Sequence, residues 1–300
     1  MCVYMYKQGP NKTLSNSVHI EVKFIQIYIL MHHPLVSVIM PVYNTKQWVW
    51  EAIESILNQT FEDFEFIILD DCSTDGSYEI CEKYAKKDKR IKLYRNDKNE
   101  GVAFTKNKLI ELTSTNYIAS QDSDDVSFLN RLELEYNFLE NHKDYGVVSG
   151  NNVIIDEDWK EIWHRIYSDN MKYIILKKSP VSHPTTLIRK SDFLAVWWYT
   201  KVKYVEDYDL WIKFYENWYK IKNLDEDLLY YRIRKWAQKW HVKETIRWTL
   251  KCQKEAYSKI KPSFSDRVYH FALSCLLLLP KSTILKIFSI IEYNSNKENL

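Results

Sequence analysis

The feature that most narrows the fold is an alternation that begins at Pro34. Leu35 to Met40 is a short apolar run containing β-branched Val36, Val38 and Ile39, the pattern of a strand buried on both faces. From about Lys46 to Asn58, Val49, Ala52, Ile53, Ile56 and Leu57 recur at helical spacing. The alternation then repeats. A strand from Phe64 to Leu69 precedes a helix from Ser77 to Lys87. A strand from Ile91 to Tyr94 precedes a helix ending near Leu112, and a strand from Tyr117 to Ser120 precedes a helical pattern opening near Phe128. This predicts an α/β fold: a doubly wound, mainly parallel sheet with helices on both faces and right-handed crossovers. The loops carrying Asn44, Asp70 and Asp122 then lie together at one edge, where open α/β sheets bind their ligands.

The last of these loops is Asp122-Ser123-Asp124-Asp125. Carboxylates this close repel, and they stay ionised only where a cation or several donors offset them. One reading is a loop that holds a divalent metal, which in turn holds a diphosphate. The other is a solvated turn with a helix cap, for which Asp is equally suited. Ser73, Thr74 and Asp75 are cap candidates for the helix at Ser77.

Beyond Asn141 the alternation loosens. Strands are expected at Tyr145 to Ser149, Asn151 to Ile155, Trp163 to Tyr167, Pro184 to Ile188, Tyr219 to Asn223 and Leu228 to Arg232. A helix is expected from Glu206 to about Asn217, and helices alone after about Lys235. The expected organisation is an α/β domain over 34–235 and a helical region over 236–300. Residues 1–33 read as an extension outside the fold, with Met31 as the starting residue.

Net charge is +2 over 300 residues, which gives no electrostatic case for nucleic acid. The five cysteines form no C-x-x-C pair, as expected of a reduced cytoplasmic protein. No apolar run is long enough to span a bilayer. The C-terminal region mixes Lys and Arg with aromatic and aliphatic residues. It suits either a helical pair packed on the main domain or a peripheral contact with anionic lipid on the inner face of the cell membrane.

Glycine is scarce at 5 and tryptophan abundant at 11. Trp159, Trp197, Trp198, Trp218, Trp236 and Trp240 stand among polar or turn-forming neighbours, where a positive φ would call for glycine. One explanation is that UGA codons meaning glycine in the source are read as tryptophan. The other is that these are genuine, partly buried aromatics, as Trp211 reads.

Five motifs then appear in order. They are Val38-Ile39-Met40-Pro41-Val42-Tyr43-Asn44, Asp70-Asp71-Cys72-Ser73-Thr74-Asp75-Gly76-Ser77, Asn99-Glu100-Gly101-Val102-Ala103, Asp122-Ser123-Asp124-Asp125 and Glu206-Asp207-Tyr208-Asp209-Leu210-Trp211. In this order, from Pro34 to about Arg232, the chain resembles the family 2 glycosyltransferases of GT-A fold, of the non-processive bacterial kind. The resemblance implies transfer of a sugar from a nucleotide diphosphate donor to a glycan or lipid-linked hydroxyl with inversion, in cell-surface polysaccharide synthesis. It places Pro41, Tyr43 and Asn44 along the nucleotide pocket, and Asp70 or Asp71 at the base edge. Asn99, Gly101, Lys106 and Asn107 fall near the donor.

Asp122 and Asp124 match the metal motif, with hard oxygens suited to Mg²⁺ or Mn²⁺; Ser123 lies between them. Asp207 is the candidate base for the acceptor hydroxyl, beside Glu206 at a helix start where free N–H groups hold a carboxylate ionised. Asp209 reads as structural, and His183 as facing the acceptor or metal. Where many relatives carry a His after Tyr230-Tyr231-Arg232, this chain has Arg234, which cannot ligate a metal but can bind phosphate. The Gln-x-x-Arg-Trp motif of processive synthases is absent around Lys239-Trp240. A sugar nucleotidyltransferase would want a Gly-rich loop after the first strand, and Pro41-Val42-Tyr43-Asn44 offers none. A silent sugar-binding scaffold on the same fold would not need Asp122, Asp124 and Asp207 together.

Overall fold

The computed structural model describes residues 34–196, 198–200, 204–234 and 241–288. The expectations for residues 1–33, for Trp197, Trp236 and Trp240, and for the segment around Lys239 lie outside the described residues. The first half follows the alternation. In order come β1 (Val36–Val42), α1 (Val49–Leu57), β2 (Phe64–Asp70), α2 (Ser77–Ala85), β3 (Ile91–Arg95), α3 (Val102–Leu112) and β4 (Tyr117–Ser120). A two-residue strand β5 (Val126–Ser127), not anticipated, precedes α4 (Arg131–Asn141). The second half holds β6 (Tyr145–Ile155), β7 (Glu161–Arg165), α5 (Met171–Ile174), a 3₁₀ turn (His183–Thr185), β8 (Leu187–Arg189) and α6 (Lys190–Ala195). Then follow α7 (Glu206–Glu216), β9 (Lys220–Arg232), α8 (Val242–Ala256) and α9 (Phe264–Leu276), with residues 281–288 also helical.

The strands form one sheet in the order β3-β2-β1-β4-β8-β6-β9-β5, with β7 on β6. Strands β1 to β4 pair in parallel, β6 and β9 pair in parallel, and β8 runs antiparallel to β4 and β6. Register brings Val42 opposite Asp70, and Asp70 opposite Arg95, so the strands end flush at one edge. Period-two alternation divides the core. Val36, Val38 and Met40 face one way with Ile53 and Ile56 of α1 and Leu132 of α4. Ile39, Ile67 and Leu69 face the other way with Leu109 of α3 and Trp211 and Phe214 of α7.

Three expectations are corrected. Residues 145–155 are one strand rather than two, and so are 220–232. The register shifts between Ser149 and Asn151, so one continuous strand carries a polar bulge that reads as a break. Asn152 Nδ2 donates to Ser182 Oγ at 2.7 Å, and Asn151 Oδ1 accepts from the Tyr167 N–H at 2.9 Å. Gly150 lets β9 approach: a Cβ there would stand 2.6 Å from Leu228 Cδ1 and 2.9 Å from the Glu226 carbonyl oxygen. The strand expected at Pro184 starts at Leu187, because His183 and Pro184 form the 3₁₀ turn. None of the three cap candidates caps α2: the N-cap is Gly76, and Asp75, one residue earlier, accepts from the Ser77 N–H through Oδ1 (2.9 Å).

Three of the flagged tryptophans have left-handed backbone: Trp159 at φ 63°, Trp198 at 59° and Trp218 at 64°. Trp211, by contrast, is fully buried within α7. The C-terminal helices pack on the domain through Cys252 and Ala256 and on each other through Ile246, Leu273 and Ile284. Ser263 and Asp266 cap α9 reciprocally. A row on α9 and just beyond it, Phe264, Val268, Phe271 and Leu278, remains exposed. Among the described residues no helix is long and apolar enough to cross a membrane.

Candidate active site

Three loops are stitched together where β1, β2 and β4 end. Asn44 takes φ 51°. Its N–H donates to Ser73 Oγ at 3.0 Å, and its Oδ1 accepts from the Thr74 N–H at 3.0 Å. Thr45 Oγ1 donates to Ser123 Oγ at 3.1 Å, joining the first loop to the acidic one. Pro41 lies within β1 opposite Leu69, and Tyr43 is exposed at the rim.

Asp70 and Asp71, adjacent in sequence, have different duties. Asp71 is saturated: Oδ1 accepts from Asn96 Nδ2 (2.8 Å) and the Glu100 N–H (2.9 Å), and Oδ2 from the Gly101 N–H (2.9 Å). It fixes the loop in which Gly101 takes φ 89° and Asn99 is exposed. Asp70 Oδ2 accepts from the Ser73 N–H (3.0 Å) and pairs with Arg95 (3.2 Å). Its buried Oδ1 has no partner.

Beneath the acidic loop lies a buried bracket that sequence reasoning missed. Arg131, with no exposed surface, donates from Nη2 to the Ser120 carbonyl (2.6 Å) and from Nη1 to Gln121 Oε1 (3.1 Å), and pairs with Glu135 (3.1 Å). Gln121 Nε2 donates to the carbonyls of Asp122 and Asp125, both at 2.9 Å. From β9, the Arg232 N–H donates to Asp125 Oδ1 (2.8 Å) and its Nε to the Asp124 carbonyl (3.0 Å), while its Nη2 pairs with Glu51. Arg234 Nε lies 2.8 Å from Asp124 Oδ2. Burial raises the pKa of Asp122 and Asp124; Lys106 opposes the shift at Asp122 and Arg234 at Asp124. The only advance signal was Arg234 itself. Nothing in a single sequence marks Arg131 or Arg232 as buried.

The second rim of the candidate site is the start of α7. Lys106, from α3, is buried, and its Nζ lies 3.1 Å from Glu206 Oε1. Burial opposes its charge, but Glu206, Asp122 and Asp207 outweigh that and raise its pKa. Asp207 departs from expectation. The helix terminus does not hold it low; burial first and Glu206 second lift it to about 6, against the pull of Lys106 and the Tyr208 N–H. At neutral pH it is ionised but basic enough to accept a proton.

His183 is buried between Tyr199, whose hydroxyl meets Nε2 at 3.1 Å, and Trp211. Burial drives its pKa well down, so it is neutral, and its Nδ1 has no partner. Asn107 spends its amide on the Tyr199 backbone, donating to the carbonyl (2.9 Å) and accepting from the N–H (3.0 Å). Asp209 accepts from Thr200 (2.5 Å) and pairs with Lys213 (2.9 Å), as a structural residue does.

Lys106 is thus paired with Glu206 and lies within the electrostatic reach of Asp122 and Asp207. Asn99 is exposed in the Gly101 loop, and Asn107 is engaged by the Tyr199 backbone. Among the described residues no three His, Cys, Asp or Glu side chains converge as a metal cage. Mg²⁺ and Mn²⁺ do not require one: one or two carboxylates completed by substrate phosphates suffice. Asp122 and Asp124 are the residues here that could offer such hard oxygens.

The family model "Glycosyl transferase family 2" matches residues 37–197. EpsE of Bacillus subtilis (strain 168), named as a glycosyltransferase, is 38% identical over 205 residues, covering 67% of this chain and 73% of EpsE. TuaG of the same organism, named for teichuronic acid biosynthesis, is 41% identical over 106 residues, covering 35% of this chain and 42% of TuaG. A structure of S. aureus TarS in complex with UDP-GlcNAc aligns with TM-score 0.61 at 21% identity, over 81% of this chain and 71% of that one. The mannosyltransferase PcManGT of Pyrobaculum calidifontis, in complex with GDP-Man and Mn²⁺, aligns with TM-score 0.58 at 15% identity, over 86% and 80%. At such identities the two structures speak for the GT-A fold alone. With the family model spanning more than half of its length and EpsE similar along most of both chains, this protein belongs to glycosyl transferase family 2.

Proposed function

We propose that the chain is an inverting, metal-dependent hexosyltransferase that moves a sugar from a nucleotide diphosphate sugar to a hydroxyl of a glycan or lipid-linked acceptor. The observation that carries this reading is the position of Lys106, bonded to Glu206 and held charged by both Asp122 and Asp207. On this reading a donor-side carboxylate and a proton acceptor share one cleft. Names among the relatives and neighbours (teichuronic acid biosynthesis, complexes with UDP-GlcNAc and GDP-Man) support a nucleotide-sugar donor and a surface polysaccharide product.

In this reading the loop of Asn44, Tyr43 and Pro41 lines the nucleotide, and Asp70, with its spare oxygen, receives the base edge. Asp122 and Asp124 would hold Mg²⁺ or Mn²⁺, which, when bound, supplies positive charge to the departing diphosphate. Arg234 binds diphosphate oxygens. Asp207 removes the acceptor hydroxyl proton from the side opposite the leaving group, so the anomeric carbon inverts without a covalent intermediate. His183, neutral and braced by Tyr199, faces the acceptor side with Glu206. The exposed row Phe264, Val268, Phe271 and Leu278 lies in a described stretch, 241–288, that carries nine Lys and Arg against three Asp and Glu. That combination supports a peripheral contact with the anionic inner face of the membrane. The test is nucleotide-sugar turnover with and without Mn²⁺, for the chain as it stands and for Asp207→Asn. Equal rates for the two proteins would remove Asp207 from the mechanism, and equal rates without Mn²⁺ would remove the metal.

A further inference from the structure

Asp124 already has a cation. Arg234 Nε lies 2.8 Å from its Oδ2, and the guanidinium sits over the Trp48 ring, 5.6 Å from the centroid. The contrast with Arg232, two residues earlier, is sharp. The Arg232 side chain is wholly buried and bonded to Glu51 and to the backbone of the acidic loop. The Arg234 side chain is 34% exposed. An ion such as Mg²⁺ needs an Asp124 oxygen at about 2.0–2.1 Å. A guanidinium left on the same carboxylate would then face a dication at contact range in a half-buried site, where like charges are poorly screened.

On the metal reading of the acidic loop, we infer that Arg234 is the resident counter-ion of Asp124 in the free enzyme. The divalent cation displaces it, and the freed guanidinium moves to the donor diphosphate, which its fork of N–H donors fits. Metal alone must break the Arg234–Asp124 pair without compensation. Metal with a nucleoside diphosphate gives Arg234 a new anion. Cation and donor therefore bind with positive coupling, and each tightens the other.

The test is calorimetric titration of Mn²⁺ into the full chain without nucleotide, then of UDP at saturating Mn²⁺. Arg234→Gln is expected to bind Mn²⁺ roughly fivefold more tightly than the parent, as loss of a partly exposed competing ion pair implies. It should bind UDP about tenfold more weakly. Arg234→Lys, which keeps the charge, should stay near the parent for Mn²⁺. Mn²⁺ binding that is equal or weaker in Arg234→Gln overturns the exchange and leaves the metal reading standing. Mn²⁺ that binds neither protein, both melting cooperatively, overturns the metal reading and the exchange with it.

A separate observation carries a second inference. Trp218 follows α7 in the left-handed conformation. Its N–H donates to the Tyr215 carbonyl, and the Tyr219 N–H to the Phe214 carbonyl, both at 3.1 Å. That bond pair is the helix ending whose left-handed position glycine normally fills. Trp159 closes the β6–β7 hairpin. Its N–H reaches the Asp156 carbonyl (3.3 Å), and the Asp156 N–H reaches the Lys160 carbonyl (3.0 Å), a turn that ends in a left-handed residue. Trp198 is left-handed too. An exposed indole contributes nothing that would hold Trp218 there: the residue is 92% exposed.

We infer that these positions evolved for glycine and that their codons are UGA, read as glycine by the source organism and as tryptophan here. Peptide mass spectrometry of the protein from its source should find glycine at 159, 198 and 218, and tryptophan masses there would overturn the inference. Independently, Trp218→Gly should raise the melting temperature, and an unchanged or lower one would count equally against it.

Discussion

The two rims of the candidate site neutralise their carboxylates in opposite ways. At the α7 rim, Lys106 and Glu206 form a pair with side chains only 7% and 10% exposed. At the acidic-loop rim, Arg234 and Asp124 are 34% and 14% exposed. A buried pair is part of the scaffold, because removing one partner strands the other. A pair that water reaches costs little to open. One rim is thus built to stay as it is, and the other to change partners.

The largest effect expected from this contrast is at Asp207. Asp207→Asn should lower turnover about 10³-fold with the fold intact, the scale of a lost general base; steady-state kinetics beside circular dichroism would show it, and a loss below tenfold would break the assignment. Next comes Lys106→Met. It leaves Glu206 buried without a cation and should cost about 3 kcal/mol of stability, read by urea unfolding. A smaller cost would make both rims alike.

Third is pH. With Asp207 lifted to about 6, turnover should be flat above that value and fall about tenfold per pH unit below it. The sign for stability is the reverse. A carboxyl with a raised folded pKa favours the folded state while protonated, so its contribution is present below the unfolded value and lost as pH rises through about 6. An acid limb near 4 would place Asp207 in water rather than in the cleft. The smallest effect is at Arg234→Gln, whose stability should change by less than about 1 kcal/mol. A loss comparable to that of Lys106→Met would erase the distinction between the rims.

What the sequence disclosed follows the same physics. Strands β1 to β4 were legible because strands covered on both faces are short apolar runs, and the helices between them carry their own period. The loops bearing Asn44, Asp70 and Asp122 met where that pattern put them. Long strands β6 and β9 were not legible as units, since Asn151 and Asn152 turn inward to partners that no local pattern predicts. The acidic residues of the site were readable one by one, but their neutralisers were not. Lys106 finds Glu206 across 100 residues, and Arg232 finds Asp125 across 107. Asp207 was expected to be held ionised by the helix end, yet burial and Glu206 raise its pKa instead.

The antiparallel pairing of β5 with β9, Val126 opposite Tyr230, sets a lower limit on any working fragment. The family match stops at residue 197, but an excised piece ending there would lack the clasp that Arg232 closes over the acidic turn. A minimal catalytic unit has to run through Arg234, and the seating of Cys252 and Ala256 in the main core ties α8 to that unit as well.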